Sequence, residues 1–441
     1  MLSLLLASSL SKAKYGIMVD AGSSGTRAFV YTWDTNSEIP DLKPVYENGK
    51  PLKKKIKIRL ADCAKKPELV EEIFKPIMEF AEKYVPSKLH SSTPMYVFAT
   101  AGMRLLGNNQ QNEVCDLVFG FISKNYNFKI SRQNIRVING VEEGVYGWLS
   151  VNLLLGNFKE NKPYHGAMDL GGASFQIAVE VNENDKYEES LLVTVGTKRI
   201  RVFSHSYLGY GVDVSSRSIT KAISAVTDSD NITNPCFPKG YTDKIVGKDT
   251  ITVHGTGDFE KCSKIAKKIL IDGPHFETVN IPGISNINKL VGMANLYFAN
   301  AFFGLPAASS LADLKAKGTQ YCARDWKDIS NELQGKESLE YAHTYCYCAA
   351  YQYVLLTKGF NFNDQNAEIQ KLDDINGIDL SWAIGAMLAH ISDVEITKEE
   401  NIPFTSLIFA NIVAFSVLLP LYLLIKRKFS AQRYIRESHP L

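Results

Sequence analysis

One short pattern occurs twice in this chain and limits its fold more than any other feature. Ile17, Met18 and Val19 form a buried strand that ends at Asp20; a tip follows through Ala21-Gly22-Ser23-Ser24-Gly25-Thr26-Arg27, and Phe29, Val30 and Tyr31 lead back. Gly166-Ala167-Met168-Asp169-Leu170-Gly171-Gly172-Ala173-Ser174 repeats the arrangement and returns through Ile177, Ala178 and Val179. Each copy reads as a hairpin with a glycine-rich tip and an aspartate beside it. A second echo follows each: Tyr96-Val97-Phe98-Ala99-Thr100-Ala101-Gly102 and Ile251-Thr252-Val253-His254-Gly255-Thr256-Gly257 both end a strand ahead of a helical stretch. Two motifs in the same order predict an α/β chain of two related lobes, with a ligand in the cleft between them. Periodic apolar residues predict helices over residues 68–84, 142–155 and 341–357, and the lobe boundary falls near Asn139.

Those tips suit phosphate. Glycine lets the backbone approach a ligand closely, and successive N–H groups in a tight turn make a concave anion site. The cradle would comprise Gly22, Ser23, Ser24, Gly25, Thr26 and Arg27 on one side and Gly171, Gly172 and Ala173 on the other. Asp20 and Asp169 would face the same phosphates from either side, where two carboxylates can hold a hydrated Mg2+ or Ca2+ ion. In-line attack on phosphorus needs a positioned water and a base. Glu142 and Glu143 are the candidates, although glutamates that open a helix also serve its dipole. Ser174 and Gln176, two apart on a strand, share one face and can orient the water, while Phe175 points into packing. The chain has no P-loop, no H-E-x-x-H and no dinucleotide G-x-G-x-x-G sequence.

Composition supports a globular protein and excludes some partners. The 49 basic and 47 acidic residues nearly cancel, so nothing in the charge favours nucleic acid. Seven cysteines lack the paired spacing of a zinc site and are either disulfides of an oxidising lumen or buried thiols; an odd count leaves at least one unpaired. Residues 404–425 carry no charge and are long enough for a membrane span of about twenty residues. Lys426, Arg427 and Lys428 follow it, placing the tail in the cytosol and the body in the lumen or outside, unless the body is cytosolic and the protein tail-anchored. Residues 1–14 read as a weak signal-like segment or a truncated anchor. The sequon Asn231-Ile232-Thr233 is usable only with a lumenal body.

Five segments resemble the apyrases, or nucleoside triphosphate diphosphohydrolases, of the actin-like ATPase superfamily. They are Asp20-Ala21-Gly22-Ser23-Ser24-Gly25-Thr26-Arg27, Ala99-Thr100-Ala101-Gly102-Met103-Arg104, Glu142-Glu143-Gly144-Val145-Tyr146-Gly147-Trp148, Asp169-Leu170-Gly171-Gly172-Ala173-Ser174, and Ser381-Trp382 with its following helix. The resemblance implies two actin-like (ribonuclease H-like) lobes, 15–138 completed by 377–398 and 139–376, then a transmembrane helix at 404–425 and a short basic tail at 426–441. It implies Glu143 as base, Ser174 and Gln176 on the water, Asp20 and Asp169 on the shell of a Ca2+ or Mg2+ ion, and Thr100 at the phosphates. It further implies pairing of Cys322 with Cys346 and of Cys236 with Cys262, and a nucleobase gripped in the second lobe, where the Tyr297-Phe298 region is the candidate against a plain core helix. The expected substrates are nucleoside tri- and diphosphates, and the expected setting is a Golgi or lysosomal membrane with the body in the lumen. A sugar-kinase-like phosphotransferase and a nucleotide-gated binding protein of the same superfamily are the alternatives.

Overall fold

The computed structural model describes residues 13–398 apart from 35–37, 161, 183–188, 228, 247–249, 275, 277–288, 364–367 and 393. The first sheet is built on β1 (Lys14–Gly22), an apolar strand buried on both faces. It pairs antiparallel with β2 (Gly25–Trp33), which also meets β3 (Lys43–Pro44) and β4 (Lys53–Ile56). On its other side lie β5 (Met95–Ala99) and β6 (Ile135–Val137), both parallel. Helices α1 (Leu69–Tyr84) and α3 (Asn108–Asn125) cover the outer face through Ile73, Phe74, Ile77, Val114 and Val118, while α2 (Ala101–Arg104) is a single turn after β5.

The second sheet repeats the theme after α4 (Gly140–Leu154). Strands β7 (Gly166–Leu170) and β8 (Ser174–Glu180) form its central hairpin, extended by β9 (Ser190–Val195) and β10 (Lys198–Leu208). After α5 (Val212–Val226), three strands, β11 (Asn231–Asn234), β12 (Thr242–Val246) and β13 (Thr250–Gly255), make a small separate sheet that leads into α6 (Phe259–Ala266). Strand β14 (Lys289–Ala294) then runs parallel to β7, followed by α7 (Asn295–Phe302), α8 (Leu311–Cys322), α9 (Leu339–Ala342) and α10 (Tyr345–Val354). Strand β15 (Glu368–Lys371) joins β14, and after α11 (Trp382–Ile391), β16 (Val394–Lys398) completes the order β15-β14-β7-β8-β10-β9-β16.

Between the sheets lie α4 and α11. Their Trp148, Val151, Trp382 and Met387 share one core with Met18 and Phe98 of the first sheet and Ala178, Val202 and Val291 of the second. Small residues allow the two helices to cross closely: Gly385 N–H donates to Ser150 Oγ at 2.9 Å, and a β-carbon on Gly385 would lie 2.7 Å from that oxygen. Layers therefore alternate helix, sheet, helix, sheet, helix, the last helical layer being α5, α6, α8 and α10 over Phe175, Ile177 and Phe203.

Three expectations are corrected. The tips are shorter than expected: pairing continues to Gly22 opposite Gly25, so only Ser23 and Ser24 turn, and Asp20 and Asp169 lie within their strands. The second-lobe counterpart of β5 is β14, which pairs in parallel beside the hairpin; the 251–257 segment belongs to the small sheet. The helix expected over 341–357 is split into α9, α10 and a wider turn at Leu355–Gly359, with the break at Thr344, whose hydroxyl bonds back to Tyr341 O at 2.7 Å. Tyr297 is half-buried and Phe298 is 44% exposed, while Leu296 and Ala299 of the same helix are packed in the core. Cys236–Cys262 and Cys322–Cys346 are disulfides, and Cys63, Cys115 and Cys348 are buried thiols. The span expected at 404–425, the segment 1–12 and the basic tail lie outside the described residues; among the described residues, no helix is long and apolar enough to cross a membrane.

Candidate active site

The two hairpin tips meet. Gly25 takes φ +142, and a β-carbon there would lie 2.6 Å from Ile56 O, so only glycine closes this turn against β4. A β-carbon on Gly172 of the second tip would stand 2.8 Å from Ser23 Oγ of the first, and one on Gly102, just past β5, 3.1 Å from Ser23 Cα. Three segments distant in sequence thus converge on one serine. Thr100 caps α2 and donates its N–H to Ala21 O at 3.2 Å, fixing that turn beside the first tip. Thr26 is fully buried and donates its hydroxyl to Ile58 O at 3.0 Å, which anchors the tip. In the second tip Gly171 N–H closes onto Ser174 O at 3.0 Å, and Gly209 N–H donates to Ala173 O at 2.8 Å.

Helix α4 delivers Glu143 because it starts at a defined place and lies flat on the sheet. Asn139 accepts from Glu142 N–H at 2.8 Å while the Glu142 carboxylate accepts from Asn139 N–H at 3.1 Å, a reciprocal cap. Glu142 also pairs with Arg136 at 2.9 Å. It therefore serves the helix start, and its neighbour, one residue on, is turned into the cleft. Gly140 and Gly144 lack the β-carbons that would collide with Ser206 and Ser204 of β10, so the helix approaches closely. Gln176 faces Asp169 across β8 and β7. Its Nε2 donates to Ser174 Oγ at 2.6 Å and lies 3.4 Å from Glu143 Oε2 and 2.9 Å from Ser206 Oγ. Glu143, Ser174 and Gln176 are thus one hydrogen-bonded group.

Arg104 completes it. Its Nη2 donates to Glu143 Oε2 at 2.8 Å and to Ser174 Oγ at 3.2 Å, and its Nη1 to Ile138 O at 3.2 Å. Sequence reasoning quoted Arg104 within a motif and gave it no role, and it did not single out Ser206. Asp213, at the start of α5, is a further omission: its N–H donates to Gly172 O at 2.9 Å, and a β-carbon on Gly172 would sit 2.5 Å from its carboxylate.

The electrostatics are those of crowded acids. Burial pushes Glu143 up to about 7; Arg104 pulls it back, and Asp169 and Asp20 raise it further. Asp169 is pushed up to about 6 by burial and then by Asp20, and Asp20 is also raised by burial, against the guanidinium of Arg27. Arg27 Nη1 lies 3.3 Å from Asp20 Oδ2, whereas Asp20 Oδ1 is buried with no donor among the described residues. Two raised carboxylates and an orphaned oxygen fit a divalent cation, whose charge would offset both shifts. Among the described residues, no three acids, histidines or cysteines are close enough to ligate an ion together.

Tyr297 lies in the first turn of α7, whose Asn295 Nδ2 donates to Leu170 O at 2.8 Å beside the second tip. Ala294, immediately before, holds φ +54 and ψ −120, an unusual backbone for alanine that turns the chain from β14 into the helix.

Residues 7–404 match the GDA1/CD39 (nucleoside phosphatase) family. The nucleoside-triphosphatase ntp-1 of Caenorhabditis elegans is 32% identical over 88% of this chain and 75% of its own length. The Golgi apyrase of Schizosaccharomyces pombe is 29% identical over 87% and 76%. A crystal structure of nucleoside triphosphate hydrolases from Neospora caninum, at 15% identity, covers 88% of this chain and 95% of its own with a TM-score of 0.64, a likeness of fold.

Proposed function

Because the chain belongs to the GDA1/CD39 (nucleoside phosphatase) family, we propose that it hydrolyses the terminal phosphate of nucleoside tri- and diphosphates by direct attack of a water molecule that Glu143 deprotonates. The observation that carries this reading is the bonded group Arg104–Glu143–Gln176–Ser174, which sits where the two tips converge. A carboxylate poised near neutrality is matched to taking a proton from water at physiological pH. Ser174 and Gln176 offer a hydroxyl and an amide to hold that water in line with phosphorus. Within the tips Gly22 to Arg27 and Gly171 to Ala173, the turn residues Ser23, Ser24, Gly172 and Ala173 present the N–H groups, and Arg27 the guanidinium, that receive phosphate oxygens, with Thr100 at their side.

Asp20 and Asp169 are the residues that would hold a Ca2+ or Mg2+ ion through its waters. Bound there, the ion supplies neutralisation of the charge on the phosphoryl oxygens. Tyr297 is the proposed nucleobase contact, since it is half-buried on the helix that starts beside the second tip. We assign lobes of 15–138 with 377–398, and of 139–376. We place the protein in an endomembrane with its body in the lumen: two disulfides suit an oxidising compartment, Asn231 is exposed for a glycan, and one relative is a Golgi apyrase. Residues 404–425 would anchor it.

The test is phosphate release by the full chain in detergent from a panel of nucleoside di- and triphosphates, with Ca2+, Mg2+ or chelator. Release that requires the ion and stops at the monophosphate is expected. Tight nucleotide binding without turnover would replace the enzyme with a nucleotide-gated binding protein.

A further inference from the structure

The first-lobe wall of the cleft carries a charge arrangement that the hydrolytic group does not use. Asp20 on β1 stands opposite Arg27 on β2, and Arg27 stands opposite Lys55 on β4. Directly opposed residues of antiparallel strands share a face, so the three form one row across the sheet. Like charges directly opposed in such a pair repel and cost stability, yet here Arg27 faces Lys55. Its neighbours on the same alternation are neutralised: Lys53 by Asp379 at 2.6 Å, Lys57 by Glu340 at 2.8 Å and Arg59 by Asp62 at 2.6 Å. Lys55 is exposed and has no carboxylate within ion-pair distance among the described residues. Burial of part of its stem, then Arg27, Lys57 and Lys53, lower its pKa, and the weak pull of Glu337 is the one acid acting against them. A surplus cation beside a second cation, one strand out from an acid that faces the phosphate tips, is a position an anion would relieve.

We propose that Lys55 and Arg27 together hold a phosphate group on the first-lobe wall of the cleft, which makes Lys55 a binding residue beyond the tip loops. The inference rests on the phosphohydrolase reading for the origin of that phosphate. It is either the terminal group of the bound nucleotide or the orthophosphate released from it, and the chemistry of recognition is the same: a multiply charged tetrahedral anion between a guanidinium and an ammonium.

The experiment compares the wild-type full chain with Lys55→Gln and with Lys54→Gln, a change on the opposite face of the same strand. Steady-state phosphate release gives KM and kcat for a nucleoside di- and triphosphate, and added orthophosphate gives its competitive Ki. If the position holds the nucleotide, Lys55→Gln raises KM about five- to ten-fold, the weight of one charge-assisted contact, with kcat little changed. If it holds the product, the orthophosphate Ki rises by that factor and KM does not. Unchanged KM and Ki, or equal changes in Lys54→Gln, overturn the proposal, because a diffuse field and not a site would then be at work. Should the wild type turn over no nucleotide, the hydrolase reading fails separately. Calorimetric titration of orthophosphate and pyrophosphate into the same proteins then decides, and equal affinities for wild type and Lys55→Gln sink the site.

Discussion

Burial drives Glu143 toward the neutral acid, and Arg104 at 2.8 Å draws it back toward the carboxylate. A base must be ionised, so kcat/KM, which reports the free enzyme, should rise with pH through an ionisation near 7. Replacing Arg104 by Met removes the group that lowers this value, and the acid limb of the profile should move to higher pH; an unmoved limb would assign the ionisation elsewhere. The same physics costs stability. An acid whose folded value lies above its unfolded one binds more protons folded than unfolded, so its contribution falls as pH rises from the ordinary glutamate range toward 7. Glu143→Gln, which cannot ionise, should therefore raise the melting temperature at pH 8, by the equivalent of roughly 1 kcal/mol or more. Much of this site is readable one residue at a time. The spacing Asn139-x-x-Glu142 is a capping signature, and it could have separated Glu142 from Glu143 in the sequence alone. Arg104 could not be assigned that way: it is 39 positions from its carboxylate partner, and an arginine ending a short helix has many ordinary uses.

Elements explain why the site holds its shape. Helix α4 is trapped between two sheets and against α11, and Gly385 packs on Ser150 with no space for a side chain. Gly385→Val should destabilise the fold by about 1–3 kcal/mol or more through overpacking, measured as a drop in the urea midpoint. On the far side, Cys322–Cys346 joins α8 to α10, and Cys236–Cys262 fastens α6 to the segment just after β11 of the small sheet. Loss of Cys322–Cys346 in Cys322→Ser should cost about 2–4 kcal/mol, and an unchanged midpoint would show the bridge to be dispensable. Both central hairpins were legible, since strand and return are adjacent in the chain. The parallel partner of β7 was not: β14 pairs with it from more than a hundred residues away, and local resemblance pointed to the 251–257 segment instead. The split of the expected helix at Thr344 escaped because its apolar period runs on through the break.

At the scale of the molecule, two carboxylate-bearing hairpins from separate sheets face one another, and a helix shared by both sheets carries Glu143 into the space between. That arrangement follows from the duplicated pattern, which is why the fold could be inferred before the contacts were seen; how closely Ser23 approaches Gly172 depends on packing that no periodicity encodes. A lumenal body should carry a glycan at Asn231, so glycosidase treatment of the protein from a eukaryotic cell should lower its mass, and Asn231→Gln should abolish the shift. No shift would favour the cytosolic orientation. The central claim concerns water, and it is tested most directly by turnover in 18O-labelled water with wild type and Glu143→Gln. The expected result is label in the released phosphate and none in the nucleotide, with kcat lowered about 100- to 10,000-fold in the variant. Undiminished turnover by Glu143→Gln, or nucleotide consumption that depends on an added hydroxyl acceptor and yields its phosphate ester with no labelled phosphate, would contradict it.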